Sequence, residues 1–515
     1  MSRAARFVPA GRLLAGLLVL GTGSASPATS QTAPDASDDC TCASLLDALV
    51  ERVETNHPGY ILEVRGTALE GEYRSRVTAA RARARTAAAG IPCLRVLQEY
   101  VALLEDGHLF VGGGPAPRDS TPGPGRRIDW TEDRVRRHLE ERGRALDPVD
   151  GIWFDPAGLR LAVVERPVEM PPGPEAEGFT RVAFVLESSV DAWKHGDVKA
   201  ELAPLPDGSY DVILYDDDRT PTRPHVYKRG MAGGGRLQRG SLLFHAPPTT
   251  WGKLHPVRPG EEGGIDPVDP RAPTARIDER GAVVFHVPSN VPAHAPRLRA
   301  LVEQYRAALE RSETLVIDLR GNEGGSAFVT NVLVPFLATP EKRPPRYLAE
   351  GESAVLSTPD NIAYFERQSW SPARLVERLR AAPGSLVPFQ DPDPAAPAES
   401  VEPPDRATPR PSRVALLIDG MTVSAAEAFV LRAMRNGKVT LFGEPTGASI
   451  DYQTVGIVRF GCPDAGLYLG YPTIVGSDRL PEGGVRPTGI VPDVPLDPDE
   501  ADPVGRILEY YRSRG

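Results

Sequence analysis

From Gly281 onward, short apolar runs suited to strands alternate with amphipathic stretches at helical spacing. AVVFHVP leads to a helix from Pro296 to Leu309, TLVIDL to a helix from Phe328 to Leu337, and VALLID to a helix from Ala425 to Arg435, before a last strand VTLFG. Strands that keep returning through helices demand a sheet with crossover connections, so this half of the chain is predicted to be an α/β core. The core is placed at 276–515, interrupted at 383–411 by a stretch dense in Pro, Asp and Glu that reads as a surface insertion.

The amino-terminal half follows different rules. Leu45, Leu49 and Val53 recur at helical spacing and stop at Pro58-Gly59; Arg74 to Ala89 is a second helix former. Pro92 opens a third helix, striped by Leu94, Leu97, Val101 and Leu104, which Gly107 is expected to close. Residues 40–120 are therefore predicted as a helical domain, with His108 just past a helix end. Between 145 and 257 the pattern changes to GIWF, LRLAVVE, TRVAFVLES, VKAELAPL and SYDVILYD, with Pro206 to Gly208 as a hairpin turn. An inserted antiparallel β-rich module, barrel or sandwich, is expected there. Residues 258–275, rich in Pro and Gly, read as a linker.

Residues 1–28 carry Arg3, Arg6 and Arg12, then an apolar stretch centred on Leu13 to Leu20, then small residues. This is the form of a secretory signal peptide, and the apolar run is shorter than the ~20 residues a membrane span needs. An exported, periplasmic or secreted protein is expected, without a stable membrane anchor. A formal charge of -10 with scattered Lys and Arg gives no electrostatic footprint for nucleic acid. Cys40, Cys42, Cys93 and Cys462 are an even number in an exported chain, so one or two disulfides are expected, against free buried cysteines as the alternative. Three full pairings stay open, and the spacing fits no zinc site.

Three local patterns carry chemistry. VALLIDGMTVSAAEAF delivers a strand, a turn at Gly420 and then Ser424 at the mouth of a helix, where the amide of Ala425 and the helix dipole face any oxyanion formed on attack by the serine. A serine there is also an ordinary N-cap. TLVIDLRGNEGGSAFV ends a strand in Gly321, Asn322, Glu323, Gly324 and Gly325, a turn able to aim amides into a cleft or merely to supply positive φ. A serine hydroxyl needs a base, and His108, after Glu105, Asp106 and Gly107, is the candidate; it could equally be a helix-capping cation.

The combination resembles the C-terminal processing (tail-specific) serine peptidases and their tricorn-core branch. LVIDLRGNEGG, TVSAAEAF, LFGEPTG and GIVPDV stand in register with that family, as does the amino-terminal LLEDGH. The resemblance implies a crotonase/ClpP-like core, Ser424 as nucleophile, and an oxyanion hole from the amides of Ala425 and of Gly324 or Gly325. The lysine-dependent branch has its lysine where this chain has Ser449, and no lysine follows Lys438. The tricorn-like branch takes its base from a D-G-H segment, here Asp106, Gly107 and His108. Its orienting glutamate would be Glu482, which lies farther from Pro492 than the family pattern asks, with Arg486 nearer the usual place; Asp451 or Asp106 could substitute. The expected substrates are peptides or unfolded proteins, with no metal and no organic cofactor. The alternatives are an inactive peptide-binding module on the same fold and a crotonase-like acyl-thioester enzyme.

Overall fold

The computed structural model describes residues 40–113, 126–173, 176–224, 234–238, 241–244, 249–257, 269–338, 353–372, 374–390, 409–476, 484–498 and 500–514. The signal-like residues 1–28, Glu482, most of the linker and most of the Pro-rich insertion lie outside them. No helix among the described residues is long and apolar enough to cross a membrane.

The α/β half forms a six-stranded sheet in the order Thr274–Ile277, Val283–His286, Thr314–Asp318, Arg413–Ile418, Val439–Gly443, Val494–Pro495. All neighbours run parallel except the first pair, which is antiparallel. A parallel sheet covered on both faces calls for unbroken apolar strands, which is why TLVID and VALLI carry almost no alternation. Along Thr314–Asp318, Leu315 and Ile317 pack with Leu298, Leu416 and Val430 on one face, while Val316 joins Leu417, Phe442 and the carboxy-terminal helix residues Val504 and Ile507 on the other.

Two expected helices are interrupted. The first runs Ala295–Gln304 and resumes at Arg306–Leu309 after Tyr305 leaves helical geometry. The second is a 3-10 turn, Val329–Leu333, followed by Val334–Leu337. Pro335 has no N–H to continue the ladder of the preceding turn, so one continuous α-helix cannot form there.

The module between 145 and 257 is a closed barrel. Eight strands pair antiparallel in the order Gly151–Asp155, Leu159–Glu165, Arg181–Ser188, Val198–Pro204, Ser209–Tyr215, Gly235–Gln238, Ser241–Phe244, Thr249–His255, and the last pairs back onto the first. Closure removes the free edges that an open sheet of this size would expose. Trp153, Phe184, Phe244 and Trp251 are fully buried in its core, and Val135 and Leu139 of the helix Glu132–Arg142 pack against it.

The amino-terminal helices Cys42–Asn56, Glu70–Ala84 and Ile91–Val101 do not complete an apolar core among themselves. Leu46, Leu49, Leu97 and Val101 pack with Val458, Leu469 and Tyr471 of the antiparallel strands Tyr452–Arg459 and Leu467–Val475. Strand Phe110–Gly113 then adds to the other side of Leu467–Val475. Disulfides Cys42–Cys93 and Cys40–Cys462 tie the same layers, choosing one of the three pairings.

Candidate active site

Two loops leave the carboxyl ends of neighbouring parallel strands, the place where open α/β sheets bind ligands. One follows Thr314–Asp318 and the other follows Arg413–Ile418. They are laced together at their bases. The Asp419 carboxylate accepts from the amides of Met421 (3.0 Å) and Gly321 (3.2 Å), and Val423 N–H donates to Asn322 O at 3.0 Å. Fully buried Asn322 donates to Val287 O (2.8 Å) and accepts from Gly324 N–H (2.9 Å) through its side chain. A buried polar group with every partner in place fixes backbone more firmly than apolar packing can.

Ser424 sits at the junction, one residue before the helix Ala425–Ala433, with φ 56 and ψ -121. A non-glycine residue held at positive φ stores about 1–3 kcal/mol of strain, and surrounding bonds must maintain it. The amide of Ser424 donates to Glu427 Oε2 (3.1 Å) and to Ser449 Oγ (2.9 Å). Glu427, fully buried, also accepts from Thr446 Oγ1 (2.6 Å), Ala448 N (2.9 Å), Ser449 N (2.9 Å) and Ser449 Oγ (3.0 Å). One carboxylate therefore locks the helix mouth to the 446–449 loop. Ser449 buttresses the Ser424 backbone.

Gly324 (φ 84) presses on this corner. A Cβ at that position would lie 2.7 Å from Ser424 Cβ, 2.9 Å from Val423 O and 3.0 Å from Ala425 N. Ala425, as first residue of its helix, has an amide the helical ladder cannot use. The Gly324 amide is engaged by Asn322 Oδ1, whereas that of Gly325 makes no hydrogen bond among the described residues. Of the two expected glycine donors, Gly325 is the one with a free N–H. Beside them, burial pushes the Glu323 carboxyl up to about 8, only partly countered by Arg271, so it is neutral at pH 7.

His108 lies in a turn rather than at a helix end. The third helix gives way to a 3-10 turn, Ala102–Leu104, and Glu105, at φ 52, terminates it in place of the expected Gly107. The physical reason is Asp106, whose Oδ1 accepts from His108 N–H at 2.8 Å and closes a local turn that competes with helix. Its other oxygen meets His57 Nε2 at 2.9 Å. Burial alone would raise the Asp106 carboxyl; the hydrogen bond from His57 and the nearby Arg486 guanidinium outweigh it and hold the group below the ordinary range. His108 is buried to 6% exposure, and its Nδ1 has no hydrogen-bond partner among the described residues.

Neither Ser424 nor His108 hydrogen-bonds the other among the described residues, but one network adjoins both. Asp451, two residues after Ser449, accepts from the amides of Val485 (2.9 Å) and Arg486 (3.0 Å). The Arg486 guanidinium donates to Leu104 O (2.7 Å), lies 5.3 Å over the Tyr452 ring and attracts Asp106. Burial carries Asp451 up to about 6, against those two amides and Arg486, with the Glu427 charge adding to the rise. Of the acids named as substitutes for Glu482, Asp106 touches the His108 backbone and Asp451 holds the Arg486 segment. Sequence reasoning missed two members. Glu427 was signalled by the S-x-x-E spacing from Ser424. His57 had no local signal, because its partner is 49 residues away.

Comparison with known proteins gives one family match: residues 285–496 fit the model of peptidase family S41. Among solved structures, the chain is similar to mature CPAF complexed with lactacystin, at 13% identity and TM-score 0.44, covering 92% of this chain and 99% of that one. It is also similar to the photosystem II D1 C-terminal processing protease (11%, TM-score 0.32, 89% and 93% covered) and to the tricorn protease (14%, TM-score 0.35, 91% and 37% covered).

Proposed function

Residues 285–496 match peptidase family S41, and from that premise we propose that the chain is a member of that family and hydrolyses peptide bonds with Ser424 as nucleophile and His108 as base. The observation that carries the reading is the corner itself: a strained serine at a helix mouth, with the Gly324 backbone against its Cβ and against the Ala425 amide. Such packing leaves the reacting carbonyl one place to sit, between the serine and fixed donors.

In this mechanism His108 takes the proton from Ser424 Oγ as the oxygen attacks the substrate carbonyl. The amides of Ala425 and Gly325 hold the resulting oxyanion, and the imidazolium returns the proton to the departing amine. Water, deprotonated by His108, then cleaves the acyl ester and regenerates the serine. Because the two side chains are not hydrogen-bonded in this structure, the first step requires the imidazole and the serine hydroxyl to close on each other when substrate binds. Ser449 in place of a lysine favours the tricorn-like branch over a serine-lysine dyad, and the two oxyanion loops on a parallel sheet fit a crotonase/ClpP-like core. The substrate class is peptides or unfolded proteins. Two disulfides accord with an exported protein folding in an oxidising compartment.

The test is covalent labelling with a fluorophosphonate. Stable modification of the peptide containing Ser424, absent in Ser424→Ala, is the expected result. A folded wild-type protein that stays unlabelled would favour the peptide-binding alternative.

A further inference from the structure

His57 lies far in sequence from the loops that form the site, yet its position is overdetermined. It caps the helix Cys42–Asn56, with its own amide on Val53 O at 2.9 Å. Its ring is 1% exposed in a side-chain pair with Asp106 that is equally buried. Tyr60 N–H donates to Nδ1 at 3.0 Å, so that nitrogen must offer a lone pair, and the ring proton sits on Nε2, directed at Asp106 Oδ2 2.9 Å away. Gly59 leaves room for the ring: a Cβ there would lie 2.6 Å from His57 Cε1 and 3.0 Å from the Tyr452 ring.

Asp106 thus divides its two oxygens between His57 and the backbone N–H of His108, across a turn that begins with left-handed Glu105. The other charged group facing this carboxylate is Arg486. If His57 could not donate, Asp106 Oδ2 would be a buried acceptor stripped of that bond, and the carboxylate would no longer be held in the orientation that receives the His108 N–H. We infer that His57 is a positioning residue, which through Asp106 fixes the Glu105–His108 turn in the arrangement from which the imidazole reaches Ser424. The inference rests on the Ser424 and His108 reading given above.

The test measures fluorophosphonate inactivation of the full-length, oxidised protein, separating the maximal rate kinact from the half-saturating concentration KI. His57→Gln places an amide donor near the position of Nε2, whereas His57→Asn is too short and His57→Phe has no donor. The Asn and Phe variants are expected to lower kinact by roughly tenfold or more at unchanged KI, the scale of a misplaced general base. Recovery of most of that loss by Gln is the signature a purely structural histidine would not give. Should Phe fail to fold, the Gln against Asn comparison decides. Equal wild-type kinact in the folded Asn and Gln variants would overturn the inference alone. An unlabelled wild type, or His108→Ala reacting at the wild-type rate, would overturn the underlying Ser424 or His108 assignment and the inference with it.

Discussion

At position 324 an alanine methyl would collide with Ser424 Cβ at 2.7 Å and with backbone on both sides, at a φ of 84 that favours glycine. The contacts are main chain or the serine itself, so no flexible side chain can yield. Gly324→Ala is expected to cost about 1–3 kcal/mol in chemical denaturation and to slow fluorophosphonate labelling of Ser424 by roughly a hundredfold, the scale of a lost oxyanion donor. Labelling at the wild-type rate would mean the corner is not where the carbonyl binds. Glu323 gives a prediction of opposite character. Its carboxyl keeps a proton in the fold up to about pH 8, whereas in the unfolded chain it would ionise near 4.5. Between those values the folded chain binds the extra proton, so the stability this group contributes falls as pH rises across that window. In the mechanism proposed above, a negative charge gained above pH 8 two residues before Gly325 opposes the developing oxyanion. Labelling should therefore decline in alkali in the wild type and hold up to pH 9 in Glu323→Gln.

The helix Ala425–Ala433 is held at its first turn by Glu427, which receives donors on both carboxylate oxygens. Glutamine has one accepting oxygen, so Glu427→Gln turns an N–H2 toward groups that themselves donate. A loss of about 3 kcal/mol is expected, as for a buried charged group stripped of partners, together with loss of labelling because the Ser424 backbone is released. A denaturation midpoint equal to that of the wild type would show the network to be dispensable. At this scale much was legible in the sequence. Strands such as Arg413–Ile418 declared themselves because burial on both faces forces unbroken apolar composition, and Ser424 stood out because a strand, a glycine turn and a helix bracket it. The break at Pro335 was legible too, as was the S-x-x-E spacing to Glu427, yet a periodic apolar stripe concealed the first and a plain N-cap reading the second. The end of the third helix was not, since Gly107 is the usual stop and only the Asp106 side chain, bonding back to His108, explains the earlier one.

Across the whole molecule, the bond between Cys40 and Cys462 spans 422 residues, whereas Cys42–Cys93 spans 51. The chain-entropy estimate gives about 6 kcal/mol for the longer loop and about 4 kcal/mol for the shorter. Replacing Cys40 and Cys462 together by serine should therefore lower the calorimetric Tm at least as far as replacing Cys42 and Cys93, and a smaller drop would show that residual structure in the unfolded chain already closes the long loop. What the residues settled alone were the local periods, the alternation that makes the core a parallel α/β sheet, and a serine and glycine loop at strand ends, because each follows from spacing a few residues long. Barrel closure, the cysteine pairing, the packing of the first helices against Val458 to Tyr471, and the bond from His57 to Asp106 join positions tens to hundreds of residues apart. Each of those partners is chosen by which surfaces meet when the sheets stack, and no short window of sequence carries that information.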